Sequence, residues 1–235
     1  MRSVIYCDFD GTITESDNII AIMKEFAPPN WEDIKDQILS QEISIREGVG
    51  KLFSELPSSQ KNEITKFAIE NARIREGFAE FVEFAKSENI PLYIVSGGID
   101  FFVYPILEKF GPFEGIYCNH SDFSGDHIKI LWPHTCDSLC ENECGCCKPT
   151  IIRKLNADED TFTIVIGDSV TDLEAAKQAT FVLARDLLEK KCIEWGLNHK
   201  GFNTFYDCIN AIKNQIEVRG HHVKGKMAGV SGYKG

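Results

Sequence analysis

The chain has 235 residues, of which 43 % are apolar and 26 % charged, and a formal net charge of −11. That length supports one compact core with a smaller appended element, and a uniformly acidic surface argues against nucleic acid and against anionic lipid as partners. No apolar run approaches the roughly 20 residues of a membrane span, and the first residues are too soon interrupted by acids to read as a secretion signal. A cytoplasmic protein is therefore expected, monomer or homodimer.

Short apolar runs recur along the chain. Val4–Cys7 is the first, Pro91–Val95 the second, Phe162–Ile166 the third and Phe181–Ala184 the fourth. They are β-branched and nearly unbroken by polar residues, as in strands buried on both faces of a parallel sheet. Between them lie helical patterns, such as the stripe Phe78, Phe81, Val82, Phe84 and Ala85, and the run from Leu173 to Ala179. Strand–helix alternation implies an α/β fold, a doubly wound and mostly parallel sheet with right-handed crossovers. Ile116–Cys118 and His127–Ile130 flank Ser124-Gly125-Asp126 and read as a β-hairpin. No long internal repeat and no low-complexity segment interrupts the pattern.

Residues 15–75 break the alternation. They show only helical periodicity, for example Ile19, Ile20, Met23 and Phe26, punctuated at Pro28-Pro29 and at Pro57. The expected division is an α/β core from 1–14 and 76–218, a helical cap from 15–75 over the sheet edge where such folds bind ligands, and a mobile tail from 219–235. The tail carries five glycines from Gly220 to Gly235 together with Arg219, His221, His222, Lys224 and Lys226.

Four strand or helix ends carry polar chemistry. The first is Asp8-Phe9-Asp10-Gly11-Thr12. Residues two apart on a strand point the same way, so Asp8 and Asp10 share a face. Two such carboxylates repel unless a cation lies between them, and a hard metal with oxygen ligands meets that need. The second is Ser96-Gly97-Gly98, before a helix starting at Asp100, where a hydroxyl and glycine N–H groups form an anion site. The third is Lys148, followed by a proline suited to the first helical turn; a lysine there is opposed by the helix dipole, which hints at a use. The fourth is Gly167-Asp168-Ser169-Val170-Thr171-Asp172, where Asp168 can supply a further acidic ligand for Mg²⁺.

DFDGT, SGG, KP and GDSVTD, in that order over about Val4 to Ala179, resemble the four motifs of the haloacid dehalogenase superfamily of phosphohydrolases. The helical insert resembles that superfamily's C1-type cap, as in phosphoserine phosphatases. The resemblance implies a catalytic set of Asp8, Asp10, Ser96 and Lys148. Asp8 is the implied nucleophile, and Asp10 the general acid and then base. The resemblance further implies Mg²⁺ held by Asp8, by the backbone carbonyl of Asp10 and by Asp168, with Asp172 orienting Lys148 or a metal-bound water. Ser96 and Lys148, with Gly97 and Gly98, are the implied holders of the phosphoryl oxygens. An acid at position 10 favours phosphatase over dehalogenase or ATPase-type chemistry, and the substrate implied is a small phosphate ester.

A narrower resemblance, to the methionine-salvage phosphatases, rests on Asp17–Ile20, Phe26–Pro29, Arg46–Gly50, Gly97–Pro105 and Trp132–Pro149. Phosphoserine, phosphocholine and phosphoethanolamine are the alternative substrates. In the cap, Asp17 sits where phosphoserine phosphatases place a substrate-facing acid, and Arg46, Lys51, Arg73 and Arg75 are candidate anion-binding groups. Phe101, Phe102 and Tyr104 either pack on a methylthio group or belong to the core.

His134, Cys136, Cys140, Cys144, Cys146 and Cys147 crowd the approach to Lys148. Soft ligands at this density suggest structural Zn²⁺, although the spacing is not the usual paired CxxC, and free thiols or a disulfide are the alternatives. The other cysteines, Cys7, Cys118, Cys192 and Cys208, read as small core residues. A non-catalytic zinc or redox module built on the cysteine cluster is the competing function of another class.

Overall fold

The computed structural model describes residues 2–156 and 160–228. Seven strands form one sheet: β1 (Arg2–Cys7), β2 (Leu92–Ile99), β3 (Gly115–Asp122), β4 (Lys129–Leu131), β5 (Thr161–Gly167), β6 (Phe181–Ala184) and β7 (His199–Gly201). Their order is β4-β3-β2-β1-β5-β6-β7, with every neighbour parallel except the β3–β4 pair. The chain winds outward in both directions from β1, so the sheet has its topological switch beside that strand, and a crevice opens there at the carboxyl ends.

The unbroken apolar run of β1 follows from burial on both faces. Ile5 and Cys7 pack into one cluster with Phe78, Phe81, Ile94, Phe205 and Ile212. Val4 and Tyr6 face the opposite way, against Val95, Ile151, Ile152 and Val165. The first face is covered by α5 (Phe78–Ser87), α6 (Asp100–Leu107) and α10 (Phe205–Ala228). The second is covered by α7 (Lys148–Leu155), α8 (Leu173–Ala176) and α9 (Asp186–Trp195).

Between β1 and α5 lie four α-helices, a 3₁₀ turn at Ser58–Gln60 and no strand: α1 (Asn18–Phe26), α2 (Trp31–Leu39), α3 (Ile45–Ser54) and α4 (Lys61–Asn71). Two antiparallel chain segments close this insert at its base, with Glu15 donating to the Arg73 carbonyl and Arg75 to that of Ile13 at 2.9 and 2.8 Å. The insert shares its apolar core with the body. Phe53 meets Phe101 edge-on at 6.0 Å, and Ile128 donates its N–H to the Leu56 carbonyl at 3.0 Å.

Three details differ from the reading of the sequence. The helix expected from Leu173 to Ala179 is a single α turn ending at Ala176, followed by tighter bonds from Gln178 and Ala179 three residues back. The tail expected to begin at 219 is helical as far as Ala228, and Arg219 belongs to the body, bonding Ser3 Oγ at 2.9 Å and lying 3.8 Å over the Phe162 ring. Residues 229–235 lie outside the described residues. The short edge strand β7, three residues long, is too short to show a period and so was not foreseen.

Candidate active site

Asp8 continues β1 by one step, donating its N–H to the Ile166 carbonyl of β5 at 2.9 Å. Phe9 turns away into the core beside Phe102. Gly11 then reverses the chain at φ +78°, where a side chain would also collide with the Asp168 carboxylate. Thr12 Oγ1 donates to Asp168 Oδ1 at 2.9 Å, tying the loops after β1 and β5 together.

Lys148, first residue of α7, is buried and points back at both loops. Its Nζ donates to Asp8 Oδ1 at 2.7 Å, Asp172 Oδ1 at 2.5 Å and Thr171 Oγ1 at 3.1 Å. Burial alone would push this lysine down, but the carboxylates of Asp172 and Asp8 outweigh it and hold the ammonium above its usual range. Asp172 spends its other oxygen on the N–H groups of Asp168 and Ser169, both at 3.1 Å. Acid oxygens of Asp8, Asp168 and Asp172 lie within 4.8 Å of one another. Burial, followed by the charge of Asp172, pushes Asp8 well above the usual carboxylate range and Asp168 up to about 6.

Asp10 faces the same crevice. Its Oδ1 accepts from the backbone N–H of Asn18 at 3.0 Å and from Asn18 Nδ2 at 2.7 Å. Burial, with the charge of Asp17, pushes Asp10 up to about 7 against the pull of those bonds. The free oxygen, Oδ2, faces the SGG segment. That segment is not past the strand end but inside β2, which runs to Ile99 with a register shift between Val95 and Ile99. Gly98 N–H donates to Ser96 Oγ at 2.9 Å, and a Cβ on Gly98 would stand 2.8 Å from Asp10 Oδ2. Gly97 borders open space, and its carbonyl accepts from Asn119 Nδ2 at 2.8 Å.

The other expected site groups divide. Asp17 caps α1, accepting from the Ile20 N–H at 2.9 Å. Arg46 is exposed over the Trp132 ring at 5.9 Å, and Lys51 pairs with Glu47 at 2.7 Å. Arg75 is no substrate group: it is buried, with its guanidinium donating to the carbonyls of Thr12 and Gly11 at 2.7 and 2.8 Å. It clamps the loop that carries Asp10. Phe102 and Phe101 are core, and Tyr104 is exposed beside Pro105 and Phe113, on the outer side of α6. Asn18 and Thr12 were missed as site residues. Asn18 left a signal, for it stands one turn before Ile22 on the buried face of α1, a polar group where the period calls for an apolar one.

The cysteine cluster is smaller than expected. Thiols of Cys136, Cys140, Cys144 and Cys147 gather within 4.8 Å. Cys146 turns the other way, to the Tyr117 carbonyl at 3.7 Å, because neighbours in an extended chain face opposite sides. The His134 ring packs against Tyr117 and His120 instead. None of the nine cysteines is bridged, and Cys7, Cys118, Cys192 and Cys208 are buried.

A model of haloacid dehalogenase-like hydrolases matches residues 5–177, which contain every acid of the crevice and Lys148. The chain belongs to that family. The hydrolase is 62 % identical over 215 residues to the 2-hydroxy-3-keto-5-methylthiopentenyl-1-phosphate phosphatase of Geobacillus kaustophilus (strain HTA426), covering 92 % of this chain and 97 % of that one. It is 60 % identical, over the same shares, to the enzyme of that name from Geobacillus thermodenitrificans (strain NG80-2). Its fold is similar to a phosphoserine phosphatase solved with substrate bound, at a TM-score of 0.68 and 20 % identity over 90 % of this chain and 98 % of that one.

Proposed function

We propose that this hydrolase is a Mg²⁺-dependent cytoplasmic phosphomonoesterase of methionine salvage, removing the phosphate of 2-hydroxy-3-keto-5-methylthiopentenyl 1-phosphate by way of an aspartyl-phosphate on Asp8. The observation that carries the chemistry is the pairing of Asp8 with Lys148, beside an Asp10 that keeps one carboxylate oxygen free. The substrate reading rests on the 60–62 % identity to phosphatases of that name.

The donor set fits a hard divalent cation. Asp8, Asp168 and Asp172 bring three formal negative charges to a crevice with one lysine, so a phosphate dianion is repelled until another cation enters. Asp8 and Asp168 side chains and the Asp10 carbonyl would hold Mg²⁺. Asp172 has both oxygens occupied and instead aims Lys148. Bound there, the ion offsets charge on the phosphoryl oxygens.

The chain's own groups account for the proton and bond changes. Lys148 holds Asp8 by Oδ1, leaving its second oxygen to attack phosphorus. As the ester P–O bond breaks, Asp10 Oδ2 gives its proton to the leaving alkoxide. Water then attacks the acyl phosphate, Asp10 takes a proton from it, and the bond from phosphorus to Asp8 breaks. A value near 7 lets Asp10 serve both steps at neutral pH. The Ser96 hydroxyl and the glycine backbone beside it line the phosphate's side of the crevice.

Phosphate release is to be measured from methylthiopentenyl phosphate, phosphoserine, phosphocholine and phosphoethanolamine, with Mg²⁺ and with EDTA. Mg²⁺-dependent release favouring the first supports the whole reading. Preference for another ester removes the substrate assignment, and turnover by Asp8→Asn removes the mechanism.

A further inference from the structure

The loop between β4 and α7, residues 132–147, has no helix or strand of its own, yet it delivers Lys148 to the crevice. A loop this long inside a compact domain needs something to hold it. It gathers four thiols in the pattern Cys136-x₃-Cys140-x₃-Cys144-x₂-Cys147, all within 4.8 Å of one another. Cys140 and Cys144 sulfurs stand 3.8 Å apart. That separation is far beyond the roughly 2.05 Å of a disulfide. It matches the edge of a tetrahedron of sulfurs about 2.3 Å from a central ion, which is about 3.8 Å.

Two of these sulfurs accept hydrogen bonds from the surrounding chain. The Cys144 N–H donates to Cys136 Sγ at 3.5 Å, and Thr150 Oγ1 donates to Cys147 Sγ at 3.1 Å. Cys147 also caps the N-terminus of α7. Gly145, at φ +78° against the Trp132 ring, reverses the chain so that Cys147 turns back toward Cys144. Cys136, Cys140 and Cys144 are half-buried, open enough for an ion to enter.

We infer that Cys136, Cys140, Cys144 and Cys147 bind one structural Zn²⁺. Four protein ligands close the coordination sphere, so the ion does no chemistry. It fastens the residue directly before Lys148, and the Glu143 carbonyl within the same loop accepts from the Arg46 N–H of α3 at 3.2 Å. The clip therefore joins the helical insert to the start of α7. The inference stands independently of the phosphatase reading, since its test reads metal rather than turnover.

The full chain, purified without added metal or chelator, is to be analysed for elements, then exchanged with Co²⁺ and examined by absorption spectroscopy. One zinc per chain, and the thiolate-to-cobalt charge-transfer band and strong visible bands of a tetrahedral sulfur site, are expected. Cys140→Ser loses the zinc, whereas Cys146→Ser keeps it. Protein without zinc that gives no cobalt–thiolate band overturns the inference, as does iron in its place. Zinc retained by a folded Cys140→Ser and lost from Cys146→Ser overturns the ligand set. Should Cys140→Ser fail to fold, the wild-type metal content and cobalt spectrum decide.

Discussion

Replacing Lys148 by Met keeps the length of the side chain and removes its charge. Lys148 and Asp8 are each 4 % exposed and Asp172 is 1 % exposed, so water cannot take the lysine's place at either carboxylate. Breaking a buried pair by removing one partner costs about 3–5 kcal/mol, or a fall in Tm of about 6–20 °C at about 2–4 °C per kcal/mol for a chain of this size. The loss should depend on pH, and its sign follows from proton binding. Asp8 is already held above the usual carboxylate range by burial and by Asp172, with Lys148 opposing. Without Lys148 the folded state binds the proton more tightly still, while the unfolded chain releases it near about 3.9. Stability falls with rising pH wherever the folded state holds more protons than the unfolded one. The deficit of Lys148→Met is therefore small near about pH 4 and grows as pH rises through the folded value of Asp8. Thermal unfolding of both proteins in EDTA, at about pH 5 and about pH 8, measures it. Adding Mg²⁺ at the higher pH should restore part of the loss, because the ion supplies the missing positive charge. A deficit equal at the two pH values and unmoved by Mg²⁺ would refute the picture of a lysine balancing buried carboxylates.

Asn18→Ala removes the 2.7 Å bond to Asp10 and should move the limb of the pH–rate profile that belongs to Asp10 upward by about one pH unit, with an unmoved profile counting against this role. Gly98→Ala sets a Cβ 2.8 Å from Asp10 Oδ2 and 3.0 Å from Ser96 Oγ, so kcat should fall by about 100-fold in a protein with native circular dichroism. Arg75→Met strands the buried carbonyl of Thr12 and the half-buried one of Gly11 and should cost about 2–5 kcal/mol, seen as a lowered denaturant midpoint at unchanged slope.

The sequence was informative where the chemistry is local. A two-residue period places Asp8 and Asp10 on one face whatever the rest of the chain does, and a proline after Lys148 fixes a helix start there. Arg75 shows the opposite case. Its charge and its position at the base of the insert suggested an anion site, and only folding brings it against the carbonyls of Gly11 and Thr12, more than sixty residues earlier in the chain.

The cysteine segment divides in the same way. Its density of soft ligands is visible in the sequence, but its membership is not: Cys146 is excluded by the way the chain enters α7, and His134 by its packing on Tyr117 and His120. The alternating strands and helices, the order of the acidic motifs and the all-helical insert are legible along the chain, because strand and helix periods and turn residues act over a few positions. That Lys148 balances Asp8 and Asp172, that Asn18 holds Asp10 and that four of the thiols meet emerges from folding alone. Those contacts join residues distant in the chain, and burial and charge act on them only once the sheet has set the strand ends side by side.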